Sequence, residues 1–555
     1  MISSKFRPQV IPIFFHATLW LWSTFTLTER AQWDVNPHHD GVILAPAVAV
    51  SEGKVPNLEV FSQYGFLIPY IQGTVLKFTS ASLINLRYFA VAQVVLTALL
   101  LFYVLHKFVS YPLSSLLSVS WLISFPHLLP FLPWPSVTST LLIVIGMALL
   151  LRIKDADRNR NLELIWGFLA FFLAALIRPQ VSLILLLLFY YAIFIRSREV
   201  INRLKTASLI IFFPLIIVAI SYFTGSLLPY LEQSIFWAGG NYTGIGFNLR
   251  GILELSLVPL FGGLVFLGLY LTLKIERKSL SIIYWIFLST LSIIFLKFFS
   301  WTYQNYPYVA LKHPKILFAN LGWNTKNTLS YFIFTWLLLL VFLKLKNFKK
   351  NSLTDFNIKD VVFAISVLSI LQLYPATDPL HFWWVTPIFL IGTFLTFKPD
   401  FDVKIHFRYL VFPLLAFIFV CSFDFVNDQS KNRVEYREST LRGMSGFPSE
   451  VSFIDETFRF LESRIGSTTL TYECADGLYS IGGGLYNLAN SSYVDWSPEF
   501  VGVTKATKYI FQCNVPKDSP LESGFRLVDE VDIRSGEFGL YANHVNRLIG
   551  RGIQE

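Results

Sequence analysis

The chain has 555 residues, 54% of them hydrophobic and only 15% charged, against roughly 25% charged in a soluble domain. That leaves too little polar surface for a soluble fold of this length, and three cysteines exclude a disulfide scaffold. The net charge of +9 would suit nucleic acid, but the Lys and Arg residues gather in alternate loops, which is a topology pattern.

A helix that crosses a bilayer needs about 17–25 mostly apolar residues. In chain order the candidates are 8–28, 87–106, 113–132, 136–152, 162–178, 180–196, 207–224, 255–273, 280–299, 329–345, 360–376, 382–397 and 407–425. The first is read as a retained signal anchor. Prolines at 126, 130, 133 and 135 crowd the turn between the third and fourth. Lys5 and Arg7, the 152–160 run, 274–278 and 344–350 put one set of loops in the cytoplasm by the positive-inside rule. The expected fold class is a polytopic α-helical membrane protein of about thirteen spans, with its N-terminus cytoplasmic.

An odd number of spans places residues 426–555 outside, and this segment is polar and mixed. It reads as a small soluble α/β domain, with a helix over 452–465 and strands over 468–474, 508–513 and 538–542. Cys474 and Cys513 end two of those strands; a disulfide and two free thiols are both open there.

Three outer loops are long, and loops of that length carry function or are disordered. The first, 29–86, holds Asp34, then His38, His39 and Asp40, then an apolar run to Val50 and Ser51-Glu52-Gly53. The pattern predicts a helix capped by Asp40 and stopped at Gly53, too short to span and lying in the interface. A second such segment, 65–78, follows Phe61-Ser62-Gln63-Tyr64. Asp40 is either an N-cap alone or a carboxylate held at the bilayer surface for catalysis. The run His38-His39-Asp40 does not supply three ligands to one metal, because adjacent helical residues diverge. A divalent metal shared by Asp34 and Asp40 is left open.

The outer loops 225–254 and 300–328 follow. The second carries aromatic residues with Lys312, His313 and Lys315; aromatics stack on sugars and Lys meets phosphate, although aromatics also fill interfacial belts. Arg178, at the outer end of the fifth span, either snorkels to the interface or pairs with a lipid phosphate through its planar guanidinium. Asp378 and His381 sit on the outer side before the twelfth span, and Trp383 and Trp384 after them read as belt anchors.

These residues resemble a known family. His38-His39-Asp40-Gly41, the stretch from Ala47 to Pro56, and Phe61-Ser62-Gln63-Tyr64-Gly65 are similar to the first outer loop of GT-C glycosyltransferases. The likeness is to the branch with protein O-mannosyltransferases and lipid A aminoarabinose transferases. Arg178-Pro179 and Asp378-Pro379-Leu380-His381 resemble bacterial members. The resemblance covers residues 1–425 and implies a GT-C-like transmembrane domain there. It implies a bacterial cell-membrane enzyme whose donor is a sugar on a polyprenyl phosphate, with an acceptor that the sequence does not identify. Asp40 would be the general base, and Arg178, with Lys312 or Lys315, would meet the leaving phosphate; His38, His39, Gln63, Tyr64, His313, Asp378 and His381 would contact substrate. Where the branch has Asp-Glu, this chain has Asp40-Gly41, so a second carboxylate would come from Asp34, or a histidine substitutes, or Asp40 acts alone.

Two other classes compete. A transporter or flippase would show ionisable residues in mid-span and internal repeats, whereas the acids here gather in outer loops. A non-catalytic receptor or assembly factor would be indifferent to Asp40. Nucleic acid is not expected as a partner; membrane lipid is.

Overall fold

The computed structural model of the chain describes residues 7–60, 62, 64–125, 131–153, 161–190, 200–237, 358–369, 372, 379–397, 414–415, 418–419, 421–423, 425–426, 429, 431–462, 470–473, 509–521, 525–532 and 544–551. The expected spans 255–273, 280–299 and 329–345, the strand 538–542, Cys474 and the side chain of Cys513 lie outside them.

Helix α1 (Arg7–Arg30) leads into two short helices, α2 (Pro37–Ser51) and α3 (Leu67–Phe78), before α4 (Leu83–Leu105). Then come α5 (Tyr111–Ile123), α6 (Pro135–Leu150), α7 (Asn161–Ile177), α8 (Ser182–Tyr190) and α9 (Val200–Phe223). Helix α10 (Leu227–Tyr230) continues into a π-helix (Leu231–Trp237), and further along lie α11 (Ile358–Leu368) and α12 (Pro379–Phe397). Among the described residues one helix, α4, is long and apolar enough to cross a membrane. The pair Pro214–Phe223 and Leu227–Ser234 meets that test only together, and it bends by 114°.

The helix ends follow from local chemistry. Helix α2 stops where Gly53 takes φ +92°, a conformation that costs glycine little. Prolines open α6 and α12, where a missing N–H is no loss. The proline-rich turn splits the third and fourth expected spans, α5 ending at Ile123 and α6 starting at Pro135. Where α6 crosses α7, a Cβ on Gly146 would press into the Phe171 ring, so the two helices need glycine to approach this closely.

The buried apolar residues form two main clusters. One lies among α4, α6, α7, α8 and α11 and includes Leu101, Val144, Phe171 and Ile365. The other joins the segment between α1 and α4 to the opposite end of the bundle and includes Leu44, Leu86, Trp121, Trp134, Trp383, Trp384 and Tyr436. Trp383 and Trp384 are 4% and 2% exposed, so they are core residues and not the belt anchors that the sequence suggested. Trp121 and Trp383 exchange indole N–H to carbonyl hydrogen bonds at 2.8 and 2.9 Å with their rings stacked, and the Trp384 carbonyl accepts from Thr140. Their polar atoms are satisfied inside the protein, which is what burial of an indole requires.

At the C-terminal end, β1 (Val434–Glu435) and β2 (Ser445–Gly446) form a short antiparallel pair, followed by α13 (Pro448–Glu462). A four-stranded sheet of β3 (Leu470–Glu473), β4 (Tyr509–Pro516), β5 (Phe525–Asp532) and β6 (His544–Arg551) has the order β3-β4-β6-β5. Strands β3 and β4 run parallel and the other pairs antiparallel. Strands β5 and β6 were not foreseen, because their polar residues mask the alternation.

Candidate functional site

The segment between α1 and α4 is held by a buried arginine that the sequence reading passed over. Arg87, in the first turns of α4, is fully buried, as is Asp40. Its Nη1 donates to the carbonyls of Ala31 (3.2 Å) and Trp33 (2.9 Å). Its Nη2 donates to the Asp34 carbonyl (2.9 Å) and to Asp40 Oδ2 (2.7 Å). One guanidinium therefore ties the end of α1 to the start of α2.

Asp40 does not cap α2 as an N-cap. That place belongs to Asn36, whose Oδ1 accepts from the His39 N–H at 2.9 Å, while Asp40 Oδ2 reaches back to the Asn36 N–H at 2.8 Å. The exchange is reciprocal, like a capping box moved on by one residue. With Oδ2 engaged twice, Asp40 Oδ1 is buried without a hydrogen-bond partner. Burial pushes the Asp40 carboxyl up, ahead of the downward pull of Arg87 and of the hydrogen bonds. Asp34 lies beside it on the loop, half-buried, at φ +55°, with Oδ1 3.5 Å from Arg433 Nε. Among the described residues no three His, Cys, Asp or Glu side chains come together as a metal site.

Three of the sequence-predicted residues meet around two tryptophans. The rings of His39 and Tyr64 each lie 5.4 Å from Trp134, between centroids. Trp134 stacks on Trp384 at 6.0 Å, and His381 meets Trp384 edge-on at 4.7 Å. The Trp134 indole N–H is buried and unpartnered. Two residues further on, Ser136 Oγ accepts from Arg178 Nη1 at 2.9 Å, and Arg178 Nη2 donates to the Gln372 carbonyl at 3.3 Å. Arg178 is 4% exposed, so it is set into the bundle end instead of snorkelling. The starts of α2, α6 and α12 all contribute side chains to this region.

Hydrogen bonds to two elements, the end of α7 and the π-helix, fix the Tyr64 side of the cluster. The Gly65 N–H donates to the Ile177 carbonyl at 3.1 Å, and a Cβ on Gly65 would overlap the Leu176 carbonyl oxygen. Gln233, in the π-helix, exchanges hydrogen bonds with Asn57, and Ser234 Oγ donates to the Tyr64 carbonyl. Gln63, Lys312, His313, Lys315, Asp378 and the side chain of His38 lie outside the described residues.

No family model matches the chain, and no curated protein matches it. Among solved structures it is similar to the Archaeoglobus fulgidus oligosaccharyltransferase in complex with zinc and sulfate. The identity is 10% and the TM-score 0.43, over 90% of this chain and 67% of that one. It is also similar to ArnT from Cupriavidus metallidurans bound to undecaprenyl phosphate, at 11% identity and a TM-score of 0.41, over 91% and 92%. A third similarity is to the archaeal oligosaccharyltransferase AglB from Archaeoglobus fulgidus in complex with an inhibitory peptide and a dolichol-phosphate. There the identity is 10% and the TM-score 0.44, over 90% and 69%.

Proposed function

We propose that the chain is an integral membrane glycosyltransferase that moves a sugar from a polyprenyl phosphate to an acceptor hydroxyl at the non-cytoplasmic face. The observation that carries this reading is the state of Asp40. One carboxylate oxygen is fixed by Arg87 and a backbone N–H, and the other is buried with no partner. A buried polar atom without a partner calls for an explanation, and a catalytic role is one that fits a carboxylate.

In this reading the acceptor oxygen attacks the anomeric carbon and the bond from that carbon to the phosphate oxygen breaks. Configuration inverts, and the polyprenyl phosphate departs with the bonding electrons. Asp40 Oδ1 takes the hydroxyl proton. Arg178 faces the phosphate, with Lys312 and Lys315 as further cations. His39, Tyr64, Trp134 and His381 flank the sugar, for which aromatic faces are suited. Asp34 lines the acceptor side, and His38, Gln63, His313 and Asp378 are further substrate contacts. Asp40→Asn keeps the shape and the Arg87 hydrogen bond while removing the base, so transfer from an undecaprenyl-phosphate sugar should fall by about 10²–10⁴-fold. Transfer at the wild-type rate would refute the assignment.

One observation favours a second reading, a transporter of a lipid-linked or small polar substrate: the helix pair broken by 114°, since broken helices mark many transporter sites. Substrate uptake into proteoliposomes without a covalent product would establish it.

A further inference from the structure

The C-terminal segment is fastened to the first outer loop, far from it in sequence. The Asp34 N–H donates to the Ser445 carbonyl at 2.7 Å, and the Ser445 N–H donates to the Gln32 carbonyl at 2.8 Å. Arg433 lies 4.4 Å above the Trp33 ring and 5.2 Å from that of Phe447. Strand β1, which starts at Val434, pairs with β2, so the next residue, Tyr436, follows directly from this junction.

Tyr436 turns inward. It is 3% exposed, and its N–H donates to the Met444 carbonyl at 3.1 Å. Its hydroxyl lies over Gly446, where an added Cβ would come within 2.5 Å of it. That hydroxyl has no hydrogen-bond partner. Burial, then the charges of Glu450 and Asp34, hold the phenol far above its ordinary value; Arg87 opposes, and Asp40 adds a little. Tyr436 is therefore a neutral O–H donor at any working pH.

Two more buried atoms of this neighbourhood lack partners: Asp40 Oδ1 and Arg87 Nε. These three residues are linked through short steps. Gly446 follows Ser445, Ser445 bonds to Asp34, and one Arg87 nitrogen bonds to both Asp34 and Asp40. Leaving such groups unsatisfied is costly. A hydroxyl is the group that answers this set, because it accepts from O–H and N–H donors while giving its own proton to a carboxylate.

We propose that Tyr436 is a substrate-binding residue of the Asp40 site. Its hydroxyl donates to the acceptor hydroxyl whose proton goes to Asp40 Oδ1, so the C-terminal segment supplies part of the acceptor site. This rests on the transfer reaction proposed above.

The test is Tyr436→Phe beside Asp40→Asn in the full chain. Labelled undecaprenyl-phosphate sugar is the donor, and washed membranes from cells lacking the protein are the titrated acceptor. Losing one neutral hydrogen bond to substrate should lower kcat/KM for the acceptor about tenfold. Binding of undecaprenyl phosphate should not change, and the unfolding midpoint should be equal or higher, because a buried unsatisfied hydroxyl has been removed. Wild-type kinetics in Tyr436→Phe, with Asp40→Asn inactive, would overturn the role of Tyr436 alone. A loss of activity that tracks a loss of stability would overturn it too, as a packing effect. Full activity in Asp40→Asn, or no transfer by the wild-type chain, would overturn the underlying reading instead.

Discussion

Replacing Arg87 by Met tests whether the first outer loop depends on one buried ion pair. The substitution keeps an unbranched apolar stem and deletes four hydrogen bonds, to Ala31, Trp33, Asp34 and Asp40. Both Arg87 and Asp40 have fully buried side chains, 2.7 Å apart. Removing one partner of such a pair strands the other charge and costs about 3–5 kcal/mol. Asp40 has an escape, since it can take up a proton, and each pH unit of that relief is worth about 1.4 kcal/mol. The cost of Arg87→Met should therefore shrink as the pH is lowered from 7 to 5. SDS titration of the full chain in mixed micelles measures it. The double variant Arg87→Met/Asp40→Leu should recover part of the loss, because an apolar pair replaces a buried ionic one at little net cost. A loss under about 1 kcal/mol, or a double variant no better than the single, would refute the view that this pair holds the loop.

Two further outcomes follow from the same geometry. Gly65→Ala would push the loop off the Leu176 and Ile177 carbonyls, costing about 1–3 kcal/mol as overpacking does. Because Arg178 follows Ile177 directly, undecaprenyl phosphate should also bind more weakly; unchanged binding and stability would contradict the close approach. Burial raises the Asp40 carboxyl, so the folded chain holds this proton more tightly than the unfolded chain does. Stability from this group is full below the unfolded value of about 3.9 and is lost as the pH rises through the folded value. Catalysis runs the other way: the rate should climb as Asp40 ionises, on a limb above pH about 4. A pH–rate profile with that limb at or below the ordinary aspartate value would reject Asp40 as the base.

The short helices of the first outer loop were legible because their signals are local. An apolar run too short to span, closed by Ser51-Glu52-Gly53, gives α2 within two residues of its observed end. The segment starting at Gly65 gives α3. Asp40 was visible for the same reason, although its role in the cap was misread: Asn36 precedes Pro37, and an Asn-Pro step is the stronger start signal. Arg87 was not recognised. An arginine at the mouth of an apolar span was a signal, but its four partners come from residues about 50 positions earlier, which no periodicity reveals. Trp383 and Trp384 were misassigned because a paired tryptophan beside a span reads as a belt until the distant Trp121 is found to exchange indole-to-carbonyl hydrogen bonds with Trp383.

The segment between α1 and α4 packs its apolar residues, Leu44 and Val48 among them, into the core, and its polar groups are tied from three sides. Arg87 ties it to α4, Gln233 and Ser234 tie it to the bent pair, and Ser445 ties it to the C-terminal segment. Most of these ties run to backbone carbonyls and amides, so they fix the path of the chain. Loops that carry binding groups need such a scaffold, because the cost of ordering them on ligand binding is then already met. The tie made by Ser445 differs from the other two in one respect. It lies beside Gly446, over which the unpartnered Tyr436 hydroxyl sits. A purely mechanical strap would not require an unsatisfied phenol at its tightest point, where Phe would pack the same volume at lower cost.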